Sequence, residues 1–363
     1  MAPLSRSVVD AGKGALQRAE VPSRINVSDF FSEADGVRDR FAQLVNASNP
    51  SRIAIIPSVS YGMAIVARNT PIVRGQTIVV VEEQFPSNIY TWRRLCRATG
   101  AELRTVPAPA TSAGRGRVWN EAIIDAIDGN AGLVALPQLH WTDGTQFDLP
   151  RIGARARDCG ARFVVDGTQS VGALPFDVKK VRPDALVCAA YKWLMGPYSI
   201  GLAYFGPAFD EGIPIEENWI GRRGSEDFTG LVNYGNDYQP GAIRYDVGER
   251  SNFTLLPMLT AALDQVLEWN PKAIQAYCGA LTKGPIEALR AMGCWIEDET
   301  CRSAHLVGVR VPPHVDLGAL ASELRQRQVS VSLRGDAIRL APHVYNEPAD
   351  LTALVDVVHD HAT

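Results

Sequence analysis

A lysine with no acidic neighbour and an aspartate one crossover upstream carry the chemistry of this sequence. In FVVDGTQSVGALPFDVKKVRPDALVCAAYKWLMGP, residues 163–197, an apolar run ends at Asp166 and turns at Gly167. A second apolar run, 185–188, leads into Tyr191-Lys192-Trp193 and then Gly196-Pro197. Asp166 and Lys192 are 26 positions apart. Ligands of open α/β sheets bind at the carboxyl ends of strands, so this spacing predicts convergence on one ligand from adjacent strands. Apolar and aromatic neighbours would lower the lysine pKa toward a reactive free amine. A lysine that forms a Schiff base, opposed by a carboxylate that keeps a pyridine nitrogen protonated, suits pyridoxal 5′-phosphate (PLP) chemistry. The competing reading is an ordinary buried Asp–Lys pair.

The elements that must position these groups follow from hydrophobic patterning. Short runs rich in β-branched and apolar residues predict strands at 52–56, 77–81, 102–106, 132–136, 162–165, 185–188 and 200–205. Amphipathic stretches at 87–99, 118–127 and 149–159 alternate with them, the pattern of a mostly parallel sheet flanked by helices. Residues 206–248 turn Gly-, Asn-, Tyr- and Glu-rich, which predicts a long excursion over the active site. Strands at 305–311 and 337–340 and a helix at 349–361 then predict a smaller α+β domain. The division is a large cofactor domain with an N-terminal segment over 1–250, and a small C-terminal domain over 251–363.

Composition bounds the partners. The 363 residues are 46% hydrophobic and 21% charged with a formal net charge of -4, which gives no basic excess for nucleic acid or an anionic membrane. A small molecule is the expected partner. No run of apolar residues reaches the length of a membrane helix, and the N-terminus lacks a secretory h-region. The six cysteines are scattered without a CxxC pair, which reads as reduced thiols in a cytoplasmic protein. No histidine spacing supports a metal site.

The 163–197 segment resembles the class V aminotransferase family, fold type I among PLP enzymes, which includes cysteine desulfurases, kynureninases and isopenicillin N epimerase. The matching positions are Asp166, Gln169, Lys192 and Gly196-Pro197. The resemblance implies that Gln169 hydrogen-bonds the cofactor's phenolic oxygen. IPSVSYGMA (56–64) is similar to the family's phosphate loop, with Ser58, Val59 and Ser60 as donors at a helix N-terminus; taken alone, these serines would be routine helix caps. Tyr191 matches a phosphate-binding tyrosine of kynureninase-like members. Phe85, in EEQFPSNIYTW, is implied to stack on the cofactor ring. In LHWTDG (139–144), His140 or Trp141 should face cofactor or substrate. AIRLAPHVYN (337–346) resembles the C-terminal arginine strand, so Arg339 should clamp the substrate α-carboxylate, supported by His343, Tyr345 and Asn346. GERSNF (248–253) aligns with a loop that reaches the neighbouring subunit's phosphate in family homodimers, which makes Arg250 and Ser251 candidates and places the site near a subunit interface.

Two departures shape the functional expectation. Cysteine desulfurases carry a nucleophilic cysteine just before the arginine strand, where this chain has Ser332-Leu333-Arg334-Gly335-Asp336. That absence argues against a persulfide-forming desulfurase. Family members also often begin with an extended segment carrying a substrate-contacting asparagine. This chain begins at or after that segment, which implies a misplaced start or a different substrate contact. The expected chemistry is transamination or α,β-elimination at the Cα of an amino acid, with Lys192 as general base. Epimerisation is the alternative, with a second acid from the 206–248 excursion. A fold retained for binding without turnover is disfavoured by Asp166, Lys192 and Arg339 together. A nicotinamide-binding domain is disfavoured because no GxGxxG follows the first strand.

Overall fold

The apolar runs pair into one sheet in the computed structural model, which describes residues 1–111 and 113–362. Its strands are β1 (Ile53–Ile56), β2 (Thr77–Val81), β3 (Glu102–Val106), β4 (Ala131–Pro137), β5 (Arg162–Asp166), β6 (Ala185–Ala189) and β7 (Gly201–Phe205). Each lies within about a residue of its expected bounds. The order is β1-β7-β6-β5-β4-β2-β3. All neighbours pair in parallel except β7, which runs antiparallel to both β1 and β6. Because β1 therefore points the same way as β6, its carboxyl end joins those of β2, β4, β5 and β6 on one edge, where β7 begins.

Helices α1 (Arg6–Ala19) and α2 (Asp29–Leu44) precede the sheet, and α3 (Val59–Asn69), α4 (Tyr90–Thr99), α5 (Arg115–Ala126), α6 (Leu149–Asp158) and α7 (Val178–Val181) connect its strands. Two apolar clusters cover its two faces. One gathers Val79, Val134, Leu136, Phe163 and Leu186 against α2, α5 and α6. The other gathers Ile78, Val80, Leu133, Val164 and Val187 against α3 and α4. Strands buried on both faces have no polar side to alternate with, which is why they read as continuous apolar runs.

The expected excursion contains only short 3-10 turns, at Pro207–Phe209, Gly230–Val232 and Gly241–Tyr245. Helix α8 (Leu255–Trp269) follows it. Although α8 lies beyond the expected boundary at 250, its Leu256, Leu259 and Leu263 belong to the large sheet's core. The long helix α9 (Pro271–Ala291) leads to β8 (Val307–Arg310), α10 (Leu317–Gln326), β9 (Ser332–Arg334), β10 (Ala337–Leu340) and α11 (Pro348–Ala362). These strands form an antiparallel sheet, β8-β10-β9, with its own core around Ile286, Val307, Ile338 and Val357. No helix among the described residues is long and apolar enough to cross a membrane.

Candidate active site

The strand-end edge opens into a cavity of about 340 Å³ and, beside it, a smaller one of about 70 Å³. Lys192 and Gln169 belong to the walls of both. Asp166 ends β5 in register with Val187 of the adjacent β6, and Lys192 lies just past the end of β6. The spacing thus brings the two together as expected. A glycine keeps the two turns in contact: Gly172 has φ +107°, and a Cβ there would lie 2.1 Å from the carbonyl oxygen of Trp193.

Lys192 is largely shielded from solvent, and its Nζ lies 5.5 Å from the centroid of the Phe85 ring. Burial, then the charges of Arg339 and Arg334, push its amine down to about 8, with Asp166 pulling the other way. Asp166 is 6% exposed, and its Oδ1 accepts from Thr168 N at 3.0 Å. Burial pushes the Asp166 carboxyl up, while the Thr168 hydrogen bonds and the Lys192 charge hold it down.

A titration follows from this geometry. Borohydride trapping of pyridoxal phosphate on cofactor-free protein should rise with pH along a curve centred near 8, where an ordinary lysine titrates near 10.5. Asp166 favours the ammonium form, so Asp166→Asn should move the midpoint lower still. A wild-type midpoint above 10 would contradict the buried-amine assignment.

Ser58 caps α3: its Oγ accepts from Tyr61 N at 3.2 Å and lies 2.9 Å from Ser60 Oγ. The first turn of a helix leaves its leading N–H groups without intrahelical partners, so Val59 and Ser60 offer donors there. Tyr191 lines the same cavity, its ring centroid 4.6 Å from that of Tyr198. Trp141 closes another side, with its ring edge-on to Phe85 at 5.4 Å and its Nε1 donating to Glu83 O at 2.5 Å. Gln84 Oε1 is buried on this wall with no hydrogen-bond partner among the described residues. These walls fit PLP: an amine for the aldehyde, a carboxylate for the ring nitrogen, an aromatic face, and hydroxyls with a helix N-terminus for the phosphate.

Arg339 projects from β10 onto the smaller cavity, where its Nη1 donates to Trp141 O at 2.9 Å. Met1, Ala2 and Tyr345 share that wall, and Ala2 N donates to Tyr191 O at 3.0 Å.

Four expected residues lie off these two cavities, of which Arg250 and Ser251 were expected to face a neighbouring subunit's phosphate. His140 is 1% exposed and lines neither cavity. Its Nδ1 meets Thr142 Oγ1 at 2.7 Å and its Nε2 meets Glu82 O at 3.1 Å, so the tight turn through Gly144 uses both ring nitrogens internally. His343 sits behind the wall, packed among Trp193, Trp269 and Tyr345, and burial pushes it down to about 4, leaving it neutral. Arg250 pairs within the chain with Asp246 at 2.5 Å, and Ser251 Oγ donates to Phe30 O at 2.6 Å. Other wall residues were not expected from the sequence. Trp193 and Tyr198 line the cavities; Tyr198 was hidden because β7 is antiparallel, so the residues before it, not after it, reach the edge. Arg334, from β9, lines neither cavity but approaches the wall residue Trp141, with its guanidinium carbon 5.3 Å from the ring centroid.

The Aminotransferase class-V family model matches residues 6–346. A cysteine desulfurase of Klebsiella pneumoniae subsp. pneumoniae is 28% identical over 73% of this chain and 64% of its own length. The chain thus spans under two thirds of the curated relatives it matches. In fold, it superposes on a cysteine desulfurase from Thermococcus onnurineus NA1 with TM-score 0.82, at 20% identity over 99% of this chain and 92% of the other. It superposes on a mutant of C-DES, with glycine covalently linked to the PLP cofactor, with TM-score 0.86, at 18% identity over 99% and 94%. These relatives overturn the expected ranking, which put transamination or α,β-elimination first, epimerisation second and desulfuration out of favour. The loop cysteine misled because Lys192, Asp166 and Arg339 are positioned by strand ends and β10, independently of the tight β9–β10 connection.

Proposed function

Because the chain belongs to the class V aminotransferase family, we propose that it breaks the carbon–sulfur bond of a cysteine-type amino acid, with Lys192 as the proton-transferring base. PLP is its cofactor, and when bound supplies an electron sink for charge developing at the substrate's Cα. The observation that carries the reading is the convergence of Lys192, Asp166 and Arg339 on two adjoining cavities. Arg339 receives the α-carboxylate and fixes which substituent faces Lys192. Lys192 Nζ takes the Cα proton and can return one. An amine near 8 is divided between base and acid close to neutral pH, which suits that exchange. Asp166 holds a balancing negative charge at the far wall, and Phe85 with Trp141 excludes water. The sulfur position is supported by the names of the relatives.

The test is direct. PLP-loaded protein with L-cysteine or L-cystine, with and without added thiol, should release sulfide or sulfane sulfur in step with an alanine or keto-acid product. Turnover of the amino acid without sulfur release would sink the reading. We read the protein as cytoplasmic, supported by its unpaired cysteines. A homodimer with the site near its interface is supported by Tyr198, which is 61% exposed yet lines the cavity, and by the exposed Val232 and Tyr234 of the excursion.

A further inference from the structure

We propose that Arg334 is a second anion-binding residue, and that the site selects amino acids whose side chain carries an acidic group of its own. Arg334 pairs with Ala337 and Arg339 with Ser332 across β9 and β10, so the two arginines share one face of the small sheet as diagonal neighbours. Both reach the same tryptophan: Arg339 Nη1 donates to Trp141 O at 2.9 Å, and Arg334 stands 5.3 Å from its ring centroid.

The most deeply buried arginines of this protein are compensated by carboxylates, whereas half-buried Arg157 and Arg244 donate to carbonyls alone. Arg38 and Arg250 share Asp246, Arg115 lies 3.2 Å from Asp143, and Arg310 on the neighbouring β8 contacts both Asp143 and Asp336. Arg334 and Arg339 have no carboxylate within ion-pair distance among the described residues. Instead, Arg334 Nη1 donates to Leu333 O at 2.7 Å, and the Nε of each is buried without a partner. Burial and the Arg334 charge push Arg339 down to about 10. Two adjacent guanidiniums without a carboxylate partner attract negative charge, up to one anion each. One α-carboxylate supplies one of these. A carboxylate, sulfinate or sulfonate on the substrate side chain supplies the second, and the planar arginine fork suits any of these oxyanions.

The inference rests on the cavities being an amino-acid site but not on which bond is broken. Its test therefore uses binding alone. L-Alanine, L-aspartate, L-glutamate and L-cysteate are titrated into PLP-loaded protein, and occupancy is read from the cofactor's absorption spectrum. At least one acidic ligand should bind about tenfold or more tighter than alanine. R334Q should weaken that ligand far more than alanine, R339Q should weaken all four, and R334K should keep part of the preference. Melting temperature and cofactor absorbance confirm that each variant is folded and loaded. If R334Q does not fold, the wild-type ranking and R334K decide the question. Equal affinity for alanine and all three acids overturns the inference. So does equal weakening of every ligand by R334Q, which would make Arg334 an α-carboxylate contact, and so does the absence of any response. Three of the ligands contain no sulfur and the fourth only a sulfonate, so an acidic preference can survive even if sulfur release from cysteine fails.

Discussion

Lys192→Ala should lower turnover by at least about 10³–10⁴-fold, because the substitution removes both the covalent anchor of the cofactor and the base at Cα. Positioned acid–base catalysis alone contributes about 10²–10⁴-fold. The remaining contacts stay in place: Asp166, Phe85, Ser58 and Tyr191 all line the cavity independently of the lysine. The variant should therefore bind PLP reversibly and lose its colour on dialysis, whereas the parent keeps it. Arg339 is also untouched, so amino acids should still perturb the bound cofactor. Sulfur release and exchange of the Cα proton for deuterium should fall together, since both need the same proton transfer. A variant that kept exchange while losing sulfur release would place the Cα base elsewhere. One that kept more than about a tenth of both would remove Lys192 from the mechanism.

The parts of this architecture legible in the sequence are those set by local rules. Strands buried on both faces must be apolar throughout, so β2 falls on its expected bounds. Lys192 and Asp166 are legible because adjacent parallel strands with a short crossover bring such ends together. What escaped depends on side-chain contacts that apolar patterning does not encode. His140 has a side chain suited to cofactor binding, but Thr142 and Glu82 satisfy it. His343 was suggested by its place after the arginine strand, yet the aromatic packing of Trp193 and Trp269 draws it behind the wall. β9 is only three residues long, with no apolar run to announce it, and Arg334 was hidden with it. Helix α8 looked like the start of a second domain because the excursion before it is irregular, but its leucine face closes the first core.

The pairing of Arg250 with Asp246 leads to the largest expected stability effect. Asp246 accepts from Arg38 and Arg250 through one oxygen and from Ile55 N at 2.7 Å through the other. The Arg38 and Arg250 side chains are only 2% and 3% exposed, and that of Asp246 is fully buried. This carboxylate ties the excursion to α2 and β1, next to the helix N-terminus that carries Ser58. Asp246→Ala leaves two buried guanidiniums facing each other, a loss of about 3–5 kcal/mol for one uncompensated buried charge. The orphaned Ile55 N–H adds about 1–3 kcal/mol. Asp264→Ala is the natural control: its pair with Arg40 is half-exposed and should contribute no more than about 1 kcal/mol. Arg250→Met should fall between these limits, because Asp246 keeps Arg38 as a partner. Urea unfolding of the three variants, each paired with a PLP binding titration, separates the two roles open to Arg250. As a structural partner of Asp246, its loss lowers the unfolding midpoint and leaves cofactor affinity close to the parent's. An Arg250→Met protein of parental stability but much weaker PLP affinity would instead return this arginine to the phosphate, and the Asp246 pair would then serve to hold it in place for that task.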